Sequence, residues 1–261
     1  MTQSCKRATQ STMKIIFSIL FFLILFIVSC SGKPAVKPEG PFNPEKSLAK
    51  ANEQIDKKDY EEARTTLLEI KNRDLSKKFA PLAQLKIADS YVKEGEPELA
   101  VIEFQRFLEV YPDHKYAVYA QYQLAMVHFS QIEGPERGYS GAAKALEEFE
   151  KFKKMFPRNP YKEIVDLRIE KCKIIIADYE FLVAEFYYKK GSYSSAIGRF
   201  EGLMKKYPHY KREADVLFYS GMSYKNMGQK DKAAEYLNRL IEKYPNYKIT
   251  KTAKKELATI K

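Results

Sequence analysis

The sequence predicts an all-α, right-handed superhelical solenoid of about five helix hairpins. Three observations predict this fold. Nearly every segment after Glu45 has apolar residues at helical spacing, a block ending in Tyr-Pro or Phe-Pro recurs along the chain, and glycines stand in the short turns inside the hairpins. Because no segment alternates apolar and polar residues as a half-buried strand does, we expect no sheet.

The first 29 residues are typical of a bacterial lipoprotein signal peptide. A basic start without acidic residues precedes the apolar segment 15–28, which is too short to span a bilayer comfortably. The segment runs into the letters IVSC at residues 27–30, which resemble a lipobox. The sequence therefore predicts a signal peptide over 1–29 and lipidation of Cys30.

Lipidation would attach three acyl chains to Cys30, on its sulfur and its new amino group. Since each buried CH₂ contributes roughly 0.8 kcal/mol, three chains anchor a protein durably to a membrane. Ser31 rather than Asp follows the cysteine, which favours the outer membrane. An uncleaved anchor and an ordinary secretory signal with a chance cysteine are the alternatives. Met1 and Met13 are both possible starts, and both give the same mature chain.

The net charge of +11 first suggests a nucleic-acid partner. However, the signal peptide carries part of this charge, and an exported protein does not meet DNA or RNA. The remaining charge, about +8, points to acidic protein surfaces or anionic lipid headgroups. With Cys5 removed and Cys30 lipidated, Cys172 has no partner for an internal disulfide.

Residues 30–44 form the predicted lipidated tether, which has prolines at positions 34, 38, 41 and 44. Extended polyproline geometry of about 3.1 Å per residue gives it a reach of roughly 40 Å. A recognition tail is the alternative. The solenoid and its C-terminal capping helix then occupy residues 45–261.

Four blocks share one frame when they are aligned on their final proline, namely 95–112, 140–157, 191–208 and 228–245. Each has a small residue where two helices of a hairpin can approach closely, and a matching small residue lies one helix earlier. The four pairs are Ala88 with Ala100, Ala125 with Ala145, Ala184 with Ala196, and Gly221 with Ala233. This is the tetratricopeptide (TPR) pattern, whose unit of 34 residues is a helix hairpin.

A fainter first copy places Ala51 and Ala63 in the same relation, so the sequence predicts five units. The third unit has an insertion in segment 131–141, and the fourth has a long first helix that begins near Tyr161. Segment 248–261 is a basic terminal helix suited to capping an open stack.

No group of residues predicts catalysis. His128 occupies the aromatic position of the third unit, and Cys172 lies on an apolar helix stripe. The glycines at 134, 138 and 141 lack the spacing of a phosphate loop. We therefore predict a binding protein that is not an enzyme and holds no metal or other cofactor.

The first helix of each TPR unit lines the concave face, which binds peptides or protein elements. The candidate apolar contacts are Leu85, Val92, Tyr119, Tyr122, Met126, Phe129, Phe181, Tyr188, Phe218 and Met222. Lys93, Lys189 and Lys225 are the candidates for contacting the carboxylate of a chain terminus. Burial of the apolar side chains is the alternative to an exposed groove. Leu48 and Tyr119 stand where the carboxylate clamp of chaperone-tail-binding TPR domains has basic residues, so that clamp is not reproduced.

The lipobox, the Pro-rich tether and five units with an insertion in the third resemble the BamD family of lipoproteins. The stretches 103–129, 143–157 and 185–200 look like the second to fourth units of that family. The family belongs to the outer-membrane β-barrel assembly (BAM) machinery. A TPR envelope scaffold of another system, either pilotin-like or associated with Tol–Pal, is the runner-up interpretation.

The resemblance implies a scaffold on the periplasmic face of the outer membrane of a Gram-negative bacterium. Its implied partners are a BamA-like insertase, bound through a POTRA domain, and other BAM lipoproteins. It also implies binding of unfolded outer-membrane proteins through aromatic-ended C-terminal segments. By the same analogy the amino-terminal units face the client and the carboxy-terminal units face the insertase.

Overall fold

The computed structural model describes residues 42–260. The predicted signal peptide 1–29, Cys30 and most of the tether 30–44 lie outside this range. From Pro44 onward the chain forms one compact unit. Among the described helices, none combines the length and the apolar content that crossing a bilayer requires.

The described residues form eleven α-helices and contain no strand. The helices are α1 (Pro44–Asp56), α2 (Tyr60–Arg73), α3 (Ala80–Glu94), α4 (Pro97–Val110), α5 (Ala117–Ser130), α6 (Ser140–Met155), α7 (Lys162–Lys189), α8 (Tyr193–Lys206), α9 (Glu213–Asn226), α10 (Lys230–Lys243) and α11 (Thr250–Ala258). Each helix packs on the next, so α1 to α10 form five hairpins and α11 caps the last. The predicted all-α TPR solenoid of five units is confirmed.

The small residues predicted at the helix crossings are all buried. They are Ala51, Ala63, Ala88, Ala100, Ala125, Ala145, Ala184, Ala196, Gly221 and Ala233. Gly221 shows why size matters, because a Cβ at this position would lie 3.0 Å from two side-chain carbons of Leu237 on α10. The close approach of α9 and α10 therefore depends on the missing side chain.

The turns inside the hairpins need a left-handed backbone. Gly95, Gly191 and Gly228 end the first helices of units two, four and five with φ of 90°, 76° and 75°. In the first unit Lys58 occupies the corresponding position and has φ of 67°. A lysine accepts this conformation at a cost that glycine avoids, which fits the fainter repeat signal of the first unit.

The second helices of units two to five end as the Tyr-Pro and Phe-Pro pattern predicts. The backbone N–H groups of Tyr111, Phe156, Tyr207 and Tyr244 each donate to the carbonyl four residues earlier, and the proline that follows cannot continue the helix. The first unit lacks this proline. There the Asp74 carboxylate accepts hydrogen bonds from the amides of Phe79 and Ala80, at 2.6 and 3.1 Å, and so begins α3.

The insertion in the third unit packs against α7. It contains a 3-10 turn at Pro135–Arg137, and the ring of Tyr139 lies 4.9 Å from that of Tyr179 on α7. Helix α7 has 28 residues, about twice as many as the helices around it. Its first half shares a core cluster with α6, and its second half shares another with α8. The long helix therefore belongs to two adjacent units.

Side-chain contacts fix the carboxy-terminal end of the array. Lys243 and Tyr244, at the end of α10, donate to the buried Glu213 carboxylate at 2.6 Å. Helix α11 buries Ala253 and is followed by Ile260, which is also buried. These contacts close the core of the fifth unit, as expected of a capping helix.

Candidate functional site

The first helices of units one to three enclose a cleft of about 450 Å³, which we name the amino-terminal cleft. Its lining residues come from α1, α3 and α5: Asn52, Ile55, Asp56, Lys86, Asp89, Val92, Lys93, Tyr119 and Gln123. Three predicted site residues, Val92, Lys93 and Tyr119, lie together in this cleft. The repeat frame therefore places them on one surface, as expected of first helices in a TPR array.

Asp89 and Tyr119 form the most buried polar pair of this cleft. The Tyr119 hydroxyl donates to Asp89 Oδ1 at 2.9 Å. Burial raises the pKa of Asp89 above its usual value, although the bond from Tyr119 and the charges of Lys86 and Lys93 oppose that rise. Burial and the adjacent carboxylate raise the pKa of Tyr119 well above 10. Tyr119 thus remains a neutral hydroxyl that holds Asp89 in place.

The amino-terminal cleft combines both signs of charge with apolar surface. Lys86 and Lys93 provide ammonium donors, and Asp56 and Asp89 provide carboxylates. The exposed apolar contribution is mainly Val92, which is 43% exposed. The predicted groove is therefore lined here by charged groups as well as apolar ones. A mixed surface of this kind has groups suited to both the charges and the apolar side chains of an extended segment.

A second set of predicted residues lies along the α5 face turned toward α7. The Tyr122 ring stacks on Tyr161 with centroids 4.2 Å apart, and Phe129 packs edge-on against Phe149 at 6.0 Å. Met126 lies between them in sequence, and all three predicted residues are half-buried. We name Tyr122, Met126 and Phe129 the α5 stripe. It offers part of its apolar surface to solvent and part to α6 and α7.

Three predicted contact residues belong to the core, and the prediction for them is wrong. Leu85 is 3% exposed, Phe181 is fully buried and Phe218 is 9% exposed. Leu85 packs with Phe104 and Leu124 because the first helix of the next unit covers it. Aromatic rings cover Phe181 in the same way. The capping helix covers Phe218.

Lys225 is also unavailable to a partner. Its ammonium group donates to Glu256 Oε2 at 2.5 Å and to Thr259 Oγ1 at 2.7 Å, so it fastens α11 to the array. Lys189 is exposed but pairs with Glu185 at 2.9 Å.

The two remaining predicted residues of the last units are half-buried. Tyr188 packs against Tyr219 at 5.0 Å, and Met222 contacts the core of the fifth unit. The concave face of units four and five is therefore largely covered.

The structure contains a second cleft that the repeat frame did not predict. It has a volume of about 460 Å³ and lies between α6, α7 and the segment that precedes α9. Its apolar lining includes Leu146, Ile174, Ala177, Tyr207 and Pro208, and its rim includes Lys173, Lys206 and Lys211. We name it the lysine-rimmed cleft. The only sign of this cleft in the sequence is Ile174, an apolar residue that lies outside the buried stripe of α7. Its side chain is 44% exposed.

The described residues offer no group suited to holding a metal ion. His128 is half-buried, and burial lowers the pKa of its imidazole. Cys172 is fully buried, and burial raises the pKa of its thiol to about 11. A thiol in this state is a packing group and a poor nucleophile.

The family model and the curated relatives that match this chain point to the same protein family. A family model described as YfiO, an outer membrane lipoprotein, matches residues 43–239. The outer membrane protein assembly factor BamD of Rickettsia prowazekii is 27% identical over 194 residues, which are 74% of this chain and 77% of its own length. BamD of Vibrio cholerae is 24% identical over 237 residues, which are 87% of this chain and 96% of its own length.

Solved TPR structures are more distant. The TPR2AB-domain:pHSP90 complex of yeast Sti1 is 15% identical with a TM-score of 0.42, covering 83% of this chain and 82% of that chain. The crystal structure of MamA protein is 16% identical with a TM-score of 0.33, covering 77% of this chain and 91% of that chain.

Proposed function

The chain belongs to the YfiO family of outer membrane lipoproteins, and from this membership we propose that it is a lipid-anchored TPR scaffold of the BAM machinery. The match over residues 43–239 carries this proposal, and the relatives named BamD support it. In this role the protein helps to assemble and insert β-barrel proteins into the outer membrane. It acts by binding and not by catalysis.

The amino-terminal cleft and the α5 stripe bind the C-terminal segment of an unfolded outer-membrane protein. Two features support this assignment. The cleft offers lysine and amide donors to the backbone and acidic groups of an extended segment. The α5 stripe, which begins beside Tyr119, offers half-exposed apolar surface to aromatic side chains.

Replacing both Lys86 and Lys93 by alanine should weaken binding of an aromatic-ended client peptide about thirtyfold. Two charge-assisted contacts are lost, and each is worth about 1 kcal/mol or more when partly shielded from water. The affinity is measured by fluorescence anisotropy with the mature lipoprotein in detergent. Lys50→Ala with Lys154→Ala is the matched control, because both side chains are exposed and lie outside the cleft.

Equal affinity of the cleft variant and the control variant would contradict this assignment. A Tyr122→Ala, Phe129→Ala variant tests the stripe less cleanly. Both rings also pack against the core of the third unit, so their loss would lower stability as well as binding.

The carboxy-terminal units bind the BamA-like insertase through its POTRA domain. Helix α11 supports this assignment, since Lys251, Lys254 and Lys255 are exposed and its one acid, Glu256, already pairs with Lys225. The lysine-rimmed cleft adds an apolar surface, and Lys206 on its rim is exposed. Both features suit a partner with acidic residues around an apolar contact.

Reversing two of these charges, with Lys251→Glu and Lys254→Glu, should reduce the amount of insertase that co-purifies with the lipoprotein several-fold. Acidic residues of the insertase would then face glutamates in place of lysines, and like charges repel. Both lysines point away from the core, so the melting temperature should hardly change. Lys50→Glu with Lys154→Glu serves as the control of equal charge. Undiminished co-purification would exclude α11 from the interface.

A TPR scaffold of another envelope system is the runner-up function, either pilotin-like or Tol–Pal-associated. Affinity purification from the native envelope, followed by mass spectrometry, separates the two. The BAM proposal requires the insertase and other BAM lipoproteins among the major partners. Secretin or Tol–Pal components in their place would favour the alternative.

A further inference from the structure

Arg168 on α7 is a half-buried arginine without an acidic partner. Its guanidinium carbon lies 4.6 Å from the centroid of the Phe129 ring. Its Nε atom is shielded from solvent and makes no hydrogen bond. Within residues 42–260, Arg168 takes part in no ion pair. Burying part of a charged group in this way costs free energy unless an anion compensates for it.

Other arginines of the structure show what such a site normally contains. Three more arginines of the described chain lie over an aromatic ring, and each of them has a carboxylate within 3.9 Å. They are Arg64 with Glu94, Arg212 with Asp215, and Arg239 with Glu235. Arg168 has the same aromatic support and lacks only the carboxylate.

The acids near Arg168 along α7 are already paired or lie on other faces. Asp166 pairs with Lys153 and Lys162, and Glu170 pairs with Lys173. The residues one turn before and after Arg168, which share its helix face, are Ile164, Val165, Lys171 and Cys172. None of them is an acid. A carboxylate for Arg168 must therefore come from outside this helix.

We propose that Arg168 binds the terminal carboxylate of the client segment, at the end of the α5 stripe formed by Tyr122, Met126 and Phe129. This inference rests on the proposed function and assigns the chain terminus to Arg168 in place of the cleft lysines. The planar guanidinium presents two parallel N–H donors that match a carboxylate. The cleft lysines suit it less, because Asp89 already lies close enough for their charges to lower its pKa.

The distances along α5 fit one continuous peptide. Tyr119 in the amino-terminal cleft and Phe129 beneath Arg168 are ten positions apart on one helix, or about 15 Å at 1.5 Å per residue. An extended peptide covers that distance with about five residues. Its final aromatic side chain can then pack on the α5 stripe while its terminal carboxylate reaches Arg168.

The test compares two fluorescent peptides of identical sequence, about ten residues long, that end in Phe either as the free acid or as the amide. Binding to the mature lipoprotein in detergent is measured for wild type and for Arg168→Gln. Wild type should bind the free acid about tenfold more tightly than the amide, as a lost charge-assisted contact implies. Arg168→Gln should bind both peptides with the affinity that wild type has for the amide.

The remaining variants distinguish recognition from structure. Arg106→Gln removes an exposed arginine from α4 and should retain the full preference for the free acid. The double variant Lys86→Ala, Lys93→Ala should lower the affinity for both peptides by the same factor. Arg168→Lys should retain part of the preference, since it keeps the charge without the planar donors.

Three outcomes would overturn the proposal. If Arg168→Gln lowers the affinity for the free-acid peptide and for the amide peptide equally, Arg168 only supports the fold. If wild type does not distinguish the two peptides, the terminal carboxylate is not recognised. In both cases peptide binding itself, and with it the proposed function, still holds. If wild type binds neither peptide, the client-binding role fails together with this inference.

Discussion

Replacing Phe200 by alanine is expected to lower the free energy of unfolding by about 3–5 kcal/mol. Phe200 is fully buried on α8 and lies between rings of the neighbouring first helices, 5.6 Å from Phe181 on α7 and 6.1 Å from Tyr219 on α9. Its removal leaves a cavity that these aromatic neighbours cannot fill. Denaturant unfolding followed by circular dichroism measures the loss.

Two further variants give this experiment its controls. Lys205→Ala removes an exposed side chain from the same helix and should change stability by less than about 0.5 kcal/mol. Phe200→Leu fills more of the space than alanine and should be clearly less harmful. If Phe200→Ala proved as stable as Lys205→Ala, the packing of units four and five described above would be wrong.

Replacing Cys30 by serine should release the protein from the membrane fraction. The variant has no sulfur to carry the diacylglycerol, so the hydrophobic free energy of the acyl chains, at roughly 0.8 kcal/mol per CH₂, is lost. The experiment uses expression in a Gram-negative host, separation of membranes from soluble proteins, and mass spectrometry of the mature chain. Wild type should begin at an acylated Cys30.

Cys172→Ala provides the matched control for this cysteine. Cys172 is buried in the core of the third unit, so its replacement costs packing but leaves the lipidation site intact. This variant should remain in the membrane fraction. If Cys30→Ser has lost its signal peptide and still stays attached to membranes through a high-salt wash, lipidation at Cys30 is contradicted. A wild-type mature chain that begins at another residue would contradict it as well.

The repeat could be predicted from the sequence because its constraints are local. A small residue at each crossing and a proline after the second helices of units two to five follow from helix geometry alone, and the structure has them where the frame places them. The exposure of the concave residues could not be predicted in this way. Whether Leu85 or Phe181 reaches solvent depends on neighbouring elements, which the position of a residue within its own unit does not specify.

The doubled length of α7 explains why the repeat frame missed two residues beside the α5 stripe. A frame counted from Gly191 reaches only the second half of α7, so it overlooks Arg168 in the first half and Tyr161 just before the helix. Those two side chains cover Tyr122 and Phe129 and define the end of the α5 stripe. The first half of α7 was expected as a helix, but its role at the binding surface follows only from the packed structure.

The continuous helix α7 also has a mechanical consequence. At about 1.5 Å per residue its 28 residues form a rod of about 42 Å, which is anchored at one end in the α5–α6 hairpin and at the other in α8 and α9. A solenoid with a loop at this point could flex between its third and fourth units, whereas a helix resists bending there. A partner that rotates the carboxy-terminal hairpins will therefore also move the first half of α7, which lies beside the α5 stripe.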